Sequence, residues 1–180
     1  NTIFLDLQNV ILCFLVMYIY TSVMLNGSSW SSMRFFLTAI GLFSVLLGVI
    51  IANGLASAIG YEYMPHFAIL PFLMVGLGID DMFVIMKVYR NLDGLKESDI
   101  ESKIGLTLRH AGVAISVTSL TDICAFAVGA ITVFPALQAF CVACSLGIAA
   151  IYVLQLTWFV AWLVVDEKRR LNQTPLCNGL

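Results

Sequence analysis

Charge is what this chain has least of. Only 11% of its 180 residues are Asp, Glu, Lys or Arg, against about 25% in a soluble domain. That scarcity excludes a soluble globule. Together with 61% hydrophobic residues and a mean hydropathy of +0.97, it points to a chain that crosses a membrane several times. Period-two alternation is also missing, which excludes a barrel. Cys13, Cys124, Cys141 and Cys144 lie inside apolar runs and read as small hydrophobes. Cys141-x-x-Cys144 has neither a second cysteine pair nor a nearby histidine, so no metal site is expected from it. Cys177 is either a palmitoylation site or an ordinary tail residue. The first residue is Asn1, and no signal peptide precedes the first apolar run, so the chain is expected to be a piece of something longer.

What is there is a series of apolar runs. They cover 7–25, 35–59, 64–86, 111–134 and 136–165. A bilayer core of about 30 Å needs about 20 helical residues, and each run suffices. Backbone groups in lipid must pair internally, so the runs are helices. The expected fold class is an all-α membrane protein, a five-transmembrane-helix bundle over 1–170, with 171–180 as tail or linker. Gly48, Ala52 and Ala56 recur every four residues, a seam that lets helices approach. Pro71 falls inside the third run and is expected either to kink it or to be tolerated there.

Lysine and arginine fall on one side only. With five spans, all nine lie in the loops 26–34 and 87–110 or in the tail 166–180. The positive-inside rule makes that side cytoplasmic. The sequons at Asn26 and Asn172 would then go unused. Within the longest loop, Ser98-Asp99-Ile100-Glu101 fits a capping box. Ile100, Ile104 and Leu108 predict a short amphipathic surface helix after it.

The third run holds the contradiction. Asp80 and Asp81 stand side by side near its middle, where one charged residue costs about 2.5–3.5 kcal/mol on insertion scales. An intramembrane ionisable pair needs partners, protons or an ion, and marks a functional site by default. Gly76 and Gly78 lie just before the pair and leave room for another helix or a solvated path. The fourth run adds Asp122, with Thr118 and Ser119 three to four residues earlier on the same face. Those hydroxyls would either satisfy Asp122 locally or leave it to join the pair. No catalytic residue is expected.

These residues resemble a family. Gly76-Leu77-Gly78-Ile79-Asp80-Asp81, led in by Leu70-Pro71-Phe72-Leu73, is similar to the GxxxDD motif of Patched-type members of the resistance-nodulation-division permeases. Thr118-Ser119-Leu120-Thr121-Asp122-Ile123-Cys124-Ala125-Phe126 resembles their fifth helix. Phe134-Pro135-Ala136-Leu137-Gln138-Ala139-Phe140-Cys141 resembles the turn into their sixth, and Asp166-Glu167-Lys168-Arg169 the end of it. Patched-related and Patched-domain-containing proteins fit best, with Niemann–Pick type C proteins more distant. The resemblance implies that the five helices are the second to sixth of twelve, the sterol-sensing domain and half of a permease. It implies a plasma-membrane protein in which Asp80 and Asp81 couple proton or sodium movement to transport of a sterol or other lipid. No further cofactor and no nucleic acid is implied, and a facing acidic residue would come from the second permease half. Asp122 is not part of that family motif.

Two other readings compete. A sterol-sensing receptor or binding module needs the bundle and a lipid cleft but not a titrating carboxylate. An intramembrane aspartyl protease needs Gly-Asp and Tyr-Asp pairs. Here Ile79 separates Gly78 from Asp80, and Thr121 precedes Asp122.

Overall fold

The computed structural model describes residues 2–26, 33–61, 69–92 and 100–173, and every regular element among them is helical. In chain order these are α1 (Thr2–Asn26), α2 (Met33–Ile59), α3 (Leu70–Asn91), α4 (Ile100–Gly129) and α5 (Pro135–Leu154). A π-helical turn (Gln155–Phe159) then leads into α6 (Val160–Gln173). The last three continue one another, so the chain makes five rods, an all-α bundle.

The rod ends follow from local chemistry. Gly60, at φ 102°, closes α2. Its N–H bonds to the Ser57 carbonyl at 3.0 Å, and the Tyr61 N–H to the Ala56 carbonyl at 3.2 Å, the paired bonds of a Schellman cap. Pro135 opens α5 after an extended Phe134. Pro71 is the second residue of α3, after a helical Ile69. It therefore does not kink a span: it lies in the first turn, where a missing N–H costs no helical bond.

Several boundaries differ from the sequence expectation. The run read as 64–86 is helical from Leu70, and 64–68 lie outside the described residues. The fourth run, read as 111–134, is helical over Ile100–Gly129. The amphipathic surface helix is thus the first turns of α4 itself, because no proline breaks the chain between Ile100 and Ala111. Ser98 and Asp99 of the capping box lie outside the described residues. The last rod reaches Gln173, past the boundary drawn at 170.

On length and composition, three helices among the described residues qualify to cross a membrane: Phe36–Ile59, Glu101–Gly129 and Pro135–Arg169. All five had been expected to qualify. The described part of α1 offers the shorter apolar stretch Phe14–Met24, and α3 is burdened by Asp80, Asp81 and Lys87.

The seam of small residues does what its spacing suggests. Ala52 and Ala56 are fully buried. A Cβ built on Gly147 of α5 would lie 3.0 Å from Ala52 Cβ and 2.8 Å from Met74 Sδ, so α2, α3 and α5 meet there at backbone distance. One apolar cluster fills this crossing, with Val45, Val49, Met74, Val75 and Ile148. A second, with Leu37, Met86, Tyr89, Ile104 and Leu163, joins the end of α3 and the start of α6 to the starts of α2 and α4. At that same end Lys103 Nζ sits 4.0 Å from the centre of the Tyr89 ring, a cation–π contact. Lys87, Arg90, Lys168 and Arg169 also lie on elements ending there. α4 stands at the margin, with Val113, Val117, Leu120 and Val128 exposed.

Candidate functional site

The buried face of α3 runs through Met74, Val75, Gly78, Ile79, Met82, Ile85 and Met86, a spacing of three and four. Asp80 and Asp81 fall off that face. Neighbouring residues point about 100° apart on a helix, and the two differ accordingly: Asp80 is exposed and Asp81 half-buried. Both line one cavity of about 320 Å³ between α3, α4 and α5. Across it, α4 contributes Thr118, Ser119 and Asp122, and α5 contributes Ile148 and Ile151.

The three carboxylates suggested by the sequence are therefore brought together. Asp80 and Asp81 line the cavity from α3 and Asp122 lines it from α4. Thr118 does not satisfy Asp122, since its hydroxyl donates to the carbonyls of Ala114 and Ile115 at 3.2 and 3.0 Å. Thr121 likewise donates to Val117 at 2.8 Å. No lysine, arginine or histidine is among the described residues lining the cavity. Nor is any group of three or more His, Cys, Asp or Glu placed among the described residues to hold a metal ion. The carboxylates share a cavity, not a coordination sphere. Like charges in a partly apolar recess repel, and a proton or cation held there relieves that repulsion.

The two glycines part company. A Cβ on Gly76 would meet nothing within 4 Å, whereas one on Gly78 would collide with Val45 of α2. Gly76, one turn before Asp80, faces open space, while Gly78 is a packing contact.

One polar residue went unnoticed in the sequence. Gln155 is fully buried, and its Nε2 donates to the Gly78 carbonyl at 3.2 Å. The signal was an amide deep inside an uncharged run of some thirty residues, whose other glutamine, Gln138, sits at its start. A buried amide there needs a partner as much as a charge does. Nearby, Tyr152 ties α5 to α4 through Ser116 Oγ at 2.8 Å. A separate apolar recess of about 410 Å³ lies where α3 and α5 begin, among Ile69, Phe134, Leu137 and Phe140.

A family profile described as "Sterol-sensing domain of SREBP cleavage-activation" matches residues 30–178. The chain belongs to the sterol-sensing domain family. Among its relatives is the Niemann-Pick type C1-related protein of Toxoplasma gondii, 33% identical over 166 residues, or 92% of this chain and 14% of the relative. The NPC1-like intracellular cholesterol transporter 1 of Mus musculus is 30% identical over 176 residues, 94% of this chain and 13% of the relative. Patched-related protein 9 of Caenorhabditis elegans is 30% identical over 137 residues, 76% of this chain and 16% of the relative. Both branches named from the motifs are thus represented. This sterol-sensing domain spans about a seventh of the length of these relatives.

Proposed function

We propose that this sterol-sensing domain is the transmembrane half of an ion-gradient-coupled lipid or sterol transporter of the Patched type. The observation that carries the reading is the convergence of Asp80, Asp81 and Asp122 on one cavity with no cationic side chain among its described lining. Asp80 and Asp81 are the ion-coupling residues and Asp122 a third contributor to the same polar site. The coupling ion is a proton or sodium, and no other cofactor takes part. Binding it removes carboxylate repulsion and so favours one helix packing over another. Gly76, with open space beside it, marks the side on which the second permease half would dock. The one-sided Lys and Arg support loops 26–34 and 87–110 and the tail 166–180 on the cytoplasmic side, and the family resemblance supports a plasma-membrane protein. No catalytic residue is assigned.

The apolar recess at Ile69, Phe134, Leu137 and Phe140 falls in the size range of small-molecule sites. It supports lipid or sterol binding, which a receptor without net transport would also need. The test is to reconstitute the complete chain in vesicles, impose a proton or a sodium gradient, and follow a labelled sterol or lipid. Gradient-dependent movement is expected with one of the two ions. Competable photolabelling by sterol with no movement under either gradient would favour the receptor.

A further inference from the structure

The last rod changes pitch at one place. Between α5 and α6, Gln155–Phe159 form a single π-helical turn, a feature that gathers at functional sites. Its first residue is Gln155. The amide nitrogen reaches α3, 77 residues away in sequence. The amide oxygen is equally buried and has no donor among the described residues. Packing alone does not call for this arrangement. Leu or Met would fill the volume without stranding an acceptor, and a half-used buried polar group is the costly choice. What the amide supplies that Leu or Met would not is the bond to the Gly78 carbonyl.

The acceptor of that bond matters. The Gly78 carbonyl belongs to the turn of α3 that carries Asp80 and Asp81. Gly78 is also a place of close approach between α3 and its neighbours, since a Cβ there would meet Val45 of α2 and lie 3.5 Å from Ile151 of α5. Ile151 stands one turn before Gln155 and lines the carboxylate cavity. The same short piece of α5 thus touches the cavity through Ile151 and the carboxylate turn's backbone through Gln155. Beyond it, Phe159 is fully buried. Trp158 and Trp162 meet edge-on at 6.2 Å, and Trp162 meets Phe36 at 5.7 Å. Displacing the α3 turn has a packed route into α6.

We propose that Gln155 is a positioning residue whose amide clamps the π-helical turn to the carboxylate-bearing turn of α3, so that α6 responds to an ion held at Asp80 and Asp81. The inference rests on the ion-coupling reading above and adds the element that responds. The titratable groups facing the cavity are Asp80 and Asp81 from α3 and Asp122 from α4. α5 presents Ile148 and Ile151 there, and α2 meets the turn with Val45.

The test uses the complete chain in vesicles, with a fluorine label on Trp162 read by NMR during proton and sodium titrations. The native protein should show an ion-dependent shift of that resonance. Gln155→Met keeps volume and drops the bond. It should fold and bind sterol as before, lose most of the Trp162 shift, and move the half-effect ion concentration about tenfold, or about 1.4 kcal/mol. Gln155→Glu keeps a donor only while protonated, so it should restore the response at low pH and lose it at high pH. That arm stands even where the Met variant does not fold. A native protein responding at Trp162 alongside an equally responsive Gln155→Met, or a Gln155→Glu response independent of its protonation, overturns this inference alone. A native protein that ignores both ions overturns the ion-coupling reading and this inference with it.

Discussion

Replacing each motif glycine by alanine separates packing from function at atomic detail. At Gly78 a new methyl would fall onto Val45, a fully buried, β-branched side chain with little freedom to turn away. Overpacking of this kind costs about 1–3 kcal/mol. At Gly76 the methyl would meet nothing within 4 Å. Both changes gain the same helix propensity, about 1 kcal/mol, so that term cancels between them. Gly78→Ala should therefore be about 1–3 kcal/mol less stable than Gly76→Ala, from the steric term alone. Val45→Ala removes the atom in the way. In the double variant the added methyl takes the space left by Val45 Cγ2, and the cycle should show a favourable coupling of about 1–2 kcal/mol. The assay is reversible unfolding in mild detergent, followed by circular dichroism. Equal stabilities of the two alanine variants, or strict additivity with Val45→Ala, would refute the close α2–α3 approach at Gly78.

Other outcomes follow from particular contacts. Tyr152→Phe should cost about 1 kcal/mol, and Ser116→Ala should add little to it, since the two hydroxyls share one bond between α5 and α4; independent losses would contradict that pairing. Asn26 and Asn172 should stay unglycosylated in cells, and a cysteine introduced at Glu62 should react with an impermeant reagent from outside; a glycan on native Asn172 would invert the topology. Phe134→Ala with Phe140→Ala should weaken competable labelling by a photoreactive sterol several-fold if the apolar recess they line holds the sterol ring, and undiminished labelling would place the ligand elsewhere.

Much of this architecture could be read from residues alone, and the reasons are physical. Helices in lipid need long apolar runs, so the rods announce themselves. Their ends do so only where a glycine or proline marks them, as Gly60 and Pro135 do. The start of α4 was misplaced because amphipathic turns and an apolar span joined without a breaker look like two elements. Whether Pro71 kinks a helix or is tolerated stayed open in the sequence, because apolarity begins before helicity does and hides where the first turn lies. At the site, Asp80 and Asp81 were conspicuous because charge is costly in a membrane. The meeting of Asp122 with them depends on how α3 and α4 face each other, which no spacing within one helix reveals. Gln155 was hidden for the opposite reason. An uncharged amide barely alters the hydropathy of its run, and only the partner it finds on α3 shows its weight.

The account turns on whether the carboxylate pair titrates with a coupling ion. The most direct measurement is lipid or sterol movement by the reconstituted complete chain carrying Asp80→Asn and Asp81→Asn. That pair of changes keeps shape and hydrogen-bonding capacity and removes titration. The double variant should insert, express and bind sterol as the native protein does, while gradient-dependent movement is abolished. Undiminished gradient-dependent movement by a well-folded double variant would contradict the account.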